Sequence, residues 1–166
     1  DYIKALGNVC GMNIKNYDEL ITAVNERIDY FHNAGCRISD HALDGVPFNR
    51  DYSADDVFAK KMNGDNLSAD EINAFKCETL IRLAKKYSEL DWAMQLHIGA
   101  LRNNNSAVFK KLGADVGFDS IADYEIAADL SALLDAMECN DGLPKTILYT
   151  LNPKDNYVLA TMLGNF

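Results

Sequence analysis

The residues of this chain best suited to chemistry lie in one run, Gln95-Leu96-His97-Ile98-Gly99-Ala100-Leu101-Arg102-Asn103-Asn104-Asn105. An apolar stretch from Trp92 ends in a histidine, and a glycine, an arginine and three asparagines follow close behind. In an α/β protein a buried strand reads this way where it opens onto a ligand-binding loop at its carboxyl end. An imidazole moves protons near neutral pH. A guanidinium grips a carboxylate through two parallel hydrogen bonds. His97 as the catalytic group and Arg102 as the binding group therefore point to a polar, anionic small molecule such as a sugar acid. The plainer alternatives are a satisfied core histidine and a surface ion pair.

A second pair, Asp40-His41, closes an earlier short strand. Neighbours on a strand point to opposite faces, so only one of them can face the ligand. Asp40 is the expected inward group, accepting hydrogen bonds from sugar hydroxyls; its alternative is capping or turn formation near Leu43-Asp44-Gly45. His41 stays a second binding candidate. Asn103, Asn104 and Asn105 suit a cage for hydroxyls or a tight turn, and their tolerance of left-handed backbone favours the turn. Trp92 and Tyr149 read as core. His32 reads as a solvated residue that suits the carboxyl end of a helix.

Elements that would position these groups alternate along the chain. Asn16 and Glu19 can form a capping box, and Leu20, Ile21, Val24, Ile28 and Phe31 make one apolar helix face up to Gly35. Cys36–Asp40 reads as a strand. Ser53 caps a short helix to about Met62. Ser68 and Glu71 form a second capping box, with Leu67 and Ile72 as a staple, for a helix to about Tyr87 that buries Ile72, Phe75, Leu80 and Leu83. Trp92–Ile98 is the next strand. A helical piece spans Ala107–Leu112, and Gly113 and Gly117 break it. Ser120 with Asp123 predicts the start of a long helix carrying Ile126, Leu130, Leu133, Leu134 and Met137. Thr146–Leu151 is a third strand, and Asn152-Pro153 caps a last helix. Strands recurring between helices imply parallel βαβ units. The residues alone predict one α/β domain over 1–166, an open three-layer sheet.

Composition narrows the function classes. With 16 Lys and Arg against 25 Asp and Glu, the net charge of −9 leaves no cationic excess to neutralise phosphates. That argues against nucleic acid and anionic membrane as partners. No run of eighteen apolar residues and no signal peptide is present. Cys10, Cys36, Cys77 and Cys139 form no CxxC pair, and reduced, buried thiols in a cytoplasmic protein are expected. Histidine occurs only at 32, 41 and 97. With no HxH motif, no metal ligand is assigned within this segment. There is no Gly-rich phosphate loop and no GxSxG elbow.

Several blocks, in one order over almost the whole chain, resemble the uronate isomerases, a branch of the amidohydrolase superfamily. Gln95–Asn105 resembles the family's QLHIGALRN motif, and Cys36–Leu43 resembles its upstream segment. Gly113–Ser120 is similar to its GxDxGFDS segment. Leu143–Tyr149 is similar to its LPKTILY segment, with Leu151-Asn152-Pro153 following. The resemblance implies three consecutive strand–helix units of a (β/α)8 TIM-like barrel, that is, a partial barrel of parallel strands with flanking helices. It implies isomerisation of a hexuronate, with His97 near the reacting carbons and Arg102 binding substrate; Asp40, His41 and Asn103 stay the further binding candidates read from the strand ends. It also implies a divalent metal, zinc by type, in the complete enzyme, held by a histidine pair and an aspartate outside this chain. The remaining partners would be the rest of the barrel and a further copy of the protein. The chain alone is expected to be inactive, and its two unpaired sheet edges should promote self-association. Two rivals stay open: a hydrolase of the amidohydrolase type, and a sugar-acid-binding or interaction domain without catalysis.

Overall fold

A computed structural model describes residues 2–166. The chain runs α1 (Tyr2–Cys10), α2 (Tyr17–Asn33), β1 (Ile38–Leu43), α3 (Ala54–Met62), α4 (Ala69–Glu89), β2 (Ala93–Ile98), β3 (Ala100–Leu101), α5 (Ser106–Leu112), β4 (Ser120–Ile121), α6 (Ala127–Glu138), β5 (Lys145–Thr150) and, after a 3-10 turn at Pro153–Asp155, α7 (Asn156–Met162). Strands β1, β2 and β5 form one parallel sheet in that order. This is an α/β fold. Strands β3 and β4 make a separate antiparallel ribbon.

Most helix starts follow the capping chemistry. Asn16 Oδ1 accepts the Glu19 N–H at 2.9 Å, while the Glu19 carboxylate reaches back to the Lys15 N–H at 2.6 Å. Ser68 and Glu71 form the full reciprocal box, at 3.2 and 2.7 Å. Each such cap is worth about 1 kcal/mol. The helix at Tyr2–Cys10 was not anticipated from the sequence.

Two expectations shift. The first strand begins at Ile38 rather than Cys36, because Cys36 belongs to the preceding helix end: its N–H bonds the Phe31 carbonyl across Gly35, whose φ is +101°. The helix expected from Ser120 begins at Ala127. Ser120 instead receives the Asn104 amide and pairs in the ribbon. Asp123 binds Lys154 and the Asn152 amide. Both capping residues are thus taken by tertiary partners.

β2 organises the core. Met94, Leu96 and Ile98 are at most 1% exposed and pack on Cys77, Leu80, Ile81 and Ala84 of α4 and Leu130, Leu133, Leu134 and Met137 of α6. Burying each such side chain contributes roughly 1.5–3 kcal/mol. A second cluster joins α1, α2 and α3 through Leu6, Tyr17, Leu20, Ile21 and Phe58. Phe31 and Ile72, expected in the core, are exposed. The thiols are free and not uniformly buried: Cys77 is buried, while Cys36 and Cys139 are exposed. His32 is not simply solvated, since its Nδ1 accepts the Trp92 indole N–H at 2.9 Å with the rings stacked.

Helices cover one face of the sheet. The other carries Ile38, Asp40 and Ala42 of β1, Gln95 and His97 of β2, and Lys145, Ile147 and Tyr149 of β5, which alternate with the covered residues along each strand. The expected three-layer arrangement is therefore corrected to two layers with an open face. No helix among the described residues is long and apolar enough to cross a membrane.

Candidate active site

The register of the sheet determines which polar groups meet. Asp40 pairs with Gln95 and Gln95 with Ile147, and one pleat further on Ala42 pairs with His97 and His97 with Tyr149. All the polar members of this set point to the open face. His97 Nε2 lies 2.8 Å from Asp40 Oδ1, with the side chains 45% and 65% exposed. On its other side the imidazole lies flat against Tyr149, ring centroids 4.3 Å apart and planes 3° from parallel. The Tyr149 hydroxyl donates to Gln95 Oε1 at 2.7 Å. A continuous row, Asp40–His97–Tyr149–Gln95, thus crosses all three strands.

The loop after β2 is built by Gly99, whose φ of +98° turns the chain out of the strand. Its N–H bonds the Asp44 carbonyl beyond β1, and its carbonyl accepts from Ala122. Arg102 follows on this loop. Its Nη1 donates to Asp119 Oδ2 at 3.2 Å, and Asp44 and Asp115 each stand 3.7 Å from the guanidinium. One cation among three carboxylates leaves the neighbourhood net negative, which disfavours a second anion there. Nη2 makes no hydrogen bond among the described residues. The geometry therefore suits hydroxyl groups better than a carboxylate grip.

Asn103 adopts φ of +55°, and its N–H donates to Asp119 Oδ1 at 2.8 Å. Its side-chain Oδ1 is buried without a partner among the described residues. Asn105 caps α5, accepting from Ala107 and Val108. The asparagines thus form the turn that their backbone tolerance favours. His41 is not brought to the row. It points to the helix-covered face, packs 5.8 Å from the Tyr87 ring and leaves Nε2 buried and, among the described residues, unpaired. Burial holds its basicity below the ordinary value, with Asp40 opposing weakly.

Sequence reasoning missed Tyr149 and Gln95. Tyr149 was assigned to the core, yet it is 41% exposed on the open face. The two-residue alternation of β5 marks it as the partner of Lys145 and Ile147, and the same alternation puts Gln95 beside His97. Asp119, central to the loop, carried a signal only as part of the Gly113–Ser120 block. Among the described residues no three His, Cys, Asp or Glu side chains converge to hold a metal ion.

A sequence model of the glucuronate isomerase family matches residues 1–166. The uronate isomerase of Caldanaerobacter subterraneus subsp. tengcongensis is 53% identical over 167 residues, covering 99% of this chain and 36% of that protein. The uronate isomerase of Clostridium perfringens is 50% identical, covering all of this chain and 36% of its own length. The crystal structure of uronate isomerase from Thermotoga maritima superposes with a TM-score of 0.89 at 32% identity, covering 99% of this chain and 37% of that one. That of glucuronate isomerase from Caulobacter crescentus gives 0.80 at 25% identity, covering 92% and 32%. The chain spans about 36% of the length of the curated relatives it matches. A match to the family model from end to end, with half the residues identical in the relatives, means that this chain belongs to the glucuronate isomerase family.

Proposed function

We propose that these residues form part of a uronate isomerase that interconverts D-glucuronate and D-fructuronate, or D-galacturonate and D-tagaturonate. The observation that carries this reading is the Asp40–His97 contact on the open face, in a chain whose relatives are uronate isomerases. In this reading residues 1–166 are one α/β domain. Their sheet is three consecutive strand–helix units of an eight-stranded barrel, and the open face turns to the barrel interior. The remaining strands are the chain's first partner, and a further copy of the protein is another. Free thiols throughout fit a reducing, cytoplasmic setting.

Isomerisation shifts hydrogen without net oxidation. The C2–H proton leaves, its electron pair forms the C1–C2 double bond of an enediol, and a proton returns at C1. The proton of the C2 hydroxyl is lost and one is gained at O1, so the aldehyde becomes a hydroxymethyl group and C2 a ketone. The work needs a proton carrier and a group that steadies charge on oxygen. His97 contacts the substrate near these carbons, by hydrogen bonding or by moving a proton. Asp40 orients His97 and accepts from sugar hydroxyls. Arg102 orients the hydroxyl-rich chain through Nη2, which is unpaired among the described residues, and Asn103 shapes the loop that carries it. His41, on the opposite face, takes no part. The divalent metal implied by the family, zinc by type, would take its ligands from other strands of the complete enzyme, since no three His, Cys, Asp or Glu side chains converge among the described residues.

The test compares the purified 166-residue chain with the full-length protein that carries it. Only the full-length protein should isomerise D-glucuronate or D-galacturonate. Metal-dependent isomerisation by the 166-residue chain would contradict the reading, as would hydrolysis of lactones in place of isomerisation by the full-length protein.

A further inference from the structure

We propose that Tyr149 is a positioning residue for His97, and that Gln95 is the anchor through which it works. The inference rests on the reading that His97 acts on substrate, and it assigns a role to two residues on which that reading places none.

An exposed imidazole rotates broadly about its last side-chain bond. One contact at Nε2 leaves the ring free to swing about that contact. His97 needs a second restraint, and the one ring stacked on it among the described residues is Tyr149, at 4.3 Å and nearly parallel. Stacking alone would not suffice, because a phenol rotates as freely as an imidazole. The Tyr149 hydroxyl, however, is tied to Gln95 Oε1 at 2.7 Å. Gln95 lies two residues before His97 on the same face of the same strand, so the tie closes a loop of three side chains, His97, Tyr149 and Gln95, through the β2 backbone. The phenol is thereby held at its far end, and the imidazole is held against it.

The consequence is chemical. A carboxylate oxygen 2.8 Å from Nε2 requires the proton there, since two lone pairs at that distance repel. The neutral ring then carries its lone pair on Nδ1, which has no partner among the described residues. The row therefore presents one nitrogen in one orientation, the condition for accepting a proton or a hydrogen bond from a substrate in a single pose.

The experiment uses the full-length protein with Tyr149→Leu, Tyr149→Phe and Gln95→Leu, each alone and in a His97→Ala background. Loss of the ring should lower kcat by roughly tenfold to a hundredfold, the scale of a misplaced reacting group, with KM little changed. Tyr149→Phe should recover only part of that loss, because the stack remains but its far end is no longer tied to Gln95. Gln95→Leu and Tyr149→Phe should lower kcat to the same extent, short of the Tyr149→Leu loss, and the double variant no more than either. In the His97→Ala background none of these changes should lower the rate further, because Tyr149 acts only through His97. Histidine-specific 15N spectra should show a single Nε2–H tautomer for His97 that becomes mixed in Tyr149→Leu. An equal loss with and without His97, a rise in KM alone, or an unaltered His97 tautomer would overturn the proposal. If Tyr149→Leu does not fold, the Gln95→Leu and Tyr149→Phe comparison decides. If His97→Ala itself leaves the rate intact, the catalytic reading fails, and the tautomer spectra still test the positioning.

Discussion

Asp40 and His97 sit on neighbouring strands one pleat out of step, and their side chains close that offset to 2.8 Å. The meeting follows from the register: Asp40 lies opposite Gln95, and His97 is the next residue on the same face. Both side chains are substantially exposed, so the pair adds little to folding, from nothing measurable to about 1 kcal/mol. A structural role and a chemical role on the open face are the two readings of this contact.

A first prediction separates the two roles. Asp40→Asn should lower kcat/KM of the full-length protein by at least about tenfold, one charge-assisted contact's worth. Its urea midpoint should stay where it was. A stability loss matching the activity loss would identify Asp40 as structural.

Asp119 supports the loop from below the chemistry. It receives both Arg102 Nη1 and the Asn103 N–H. Asp119→Ala should raise KM for the uronate by about tenfold, the equivalent of one lost hydrogen bond of ~1.4 kcal/mol, and leave kcat nearly unchanged. A fall in kcat at constant KM would mean that Asp119 acts on the reaction itself.

How much of this was legible beforehand depends on whether a residue's role is local. His97, Arg102 and the glycine turn stand out because an apolar strand ends at a polar loop within one short segment. Strand alternation allows only one of Asp40 and His41 on the open face, and the register shows it to be the favoured Asp40. Tyr149 did not stand out, because an aromatic residue in a β-rich stretch reads as core until a second strand is placed beside it. Its partner lies 52 residues away, and only the parallel register brings the two rings together. Ser120 and Asp123 misled for a related reason: residues that cap helices also make long-range bonds, and here they do the latter. His32 looked solvated because Trp92, which binds it, is 60 residues distant.

The pH dependence of stability should carry a signature of His41. Burial lowers its basicity below the ordinary 6.5, so the unfolded chain binds a proton where the folded one resists it. By linkage, the stability contributed is complete above the unfolded value of 6.5 and is lost as pH falls from there through the lower value of the folded state. The urea midpoint should therefore fall more between pH 7.5 and 5.5 in the parent than in His41→Gln. Parallel falls in both would rule out His41 as the source.

Gly142 offers a packing test remote from the site. A Cβ there would lie 2.9 Å from both Cα and Cβ of Lys85 on α4, and backbone cannot yield cheaply. Gly142→Ala should cost about 1–3 kcal/mol, lowering Tm by roughly 2–4 °C per kcal/mol. An unchanged Tm would mean that the turn after α6 can shift away from α4.

The central claim is that His97 acts on the uronate. The most direct measurement is kcat/KM of the full-length protein on D-glucuronate and D-galacturonate before and after His97→Asn, with circular dichroism to verify the fold. A loss of about a hundredfold or more, the usual contribution of a positioned proton-transfer group, is the expected result. An unchanged kcat/KM in a folded variant would contradict it.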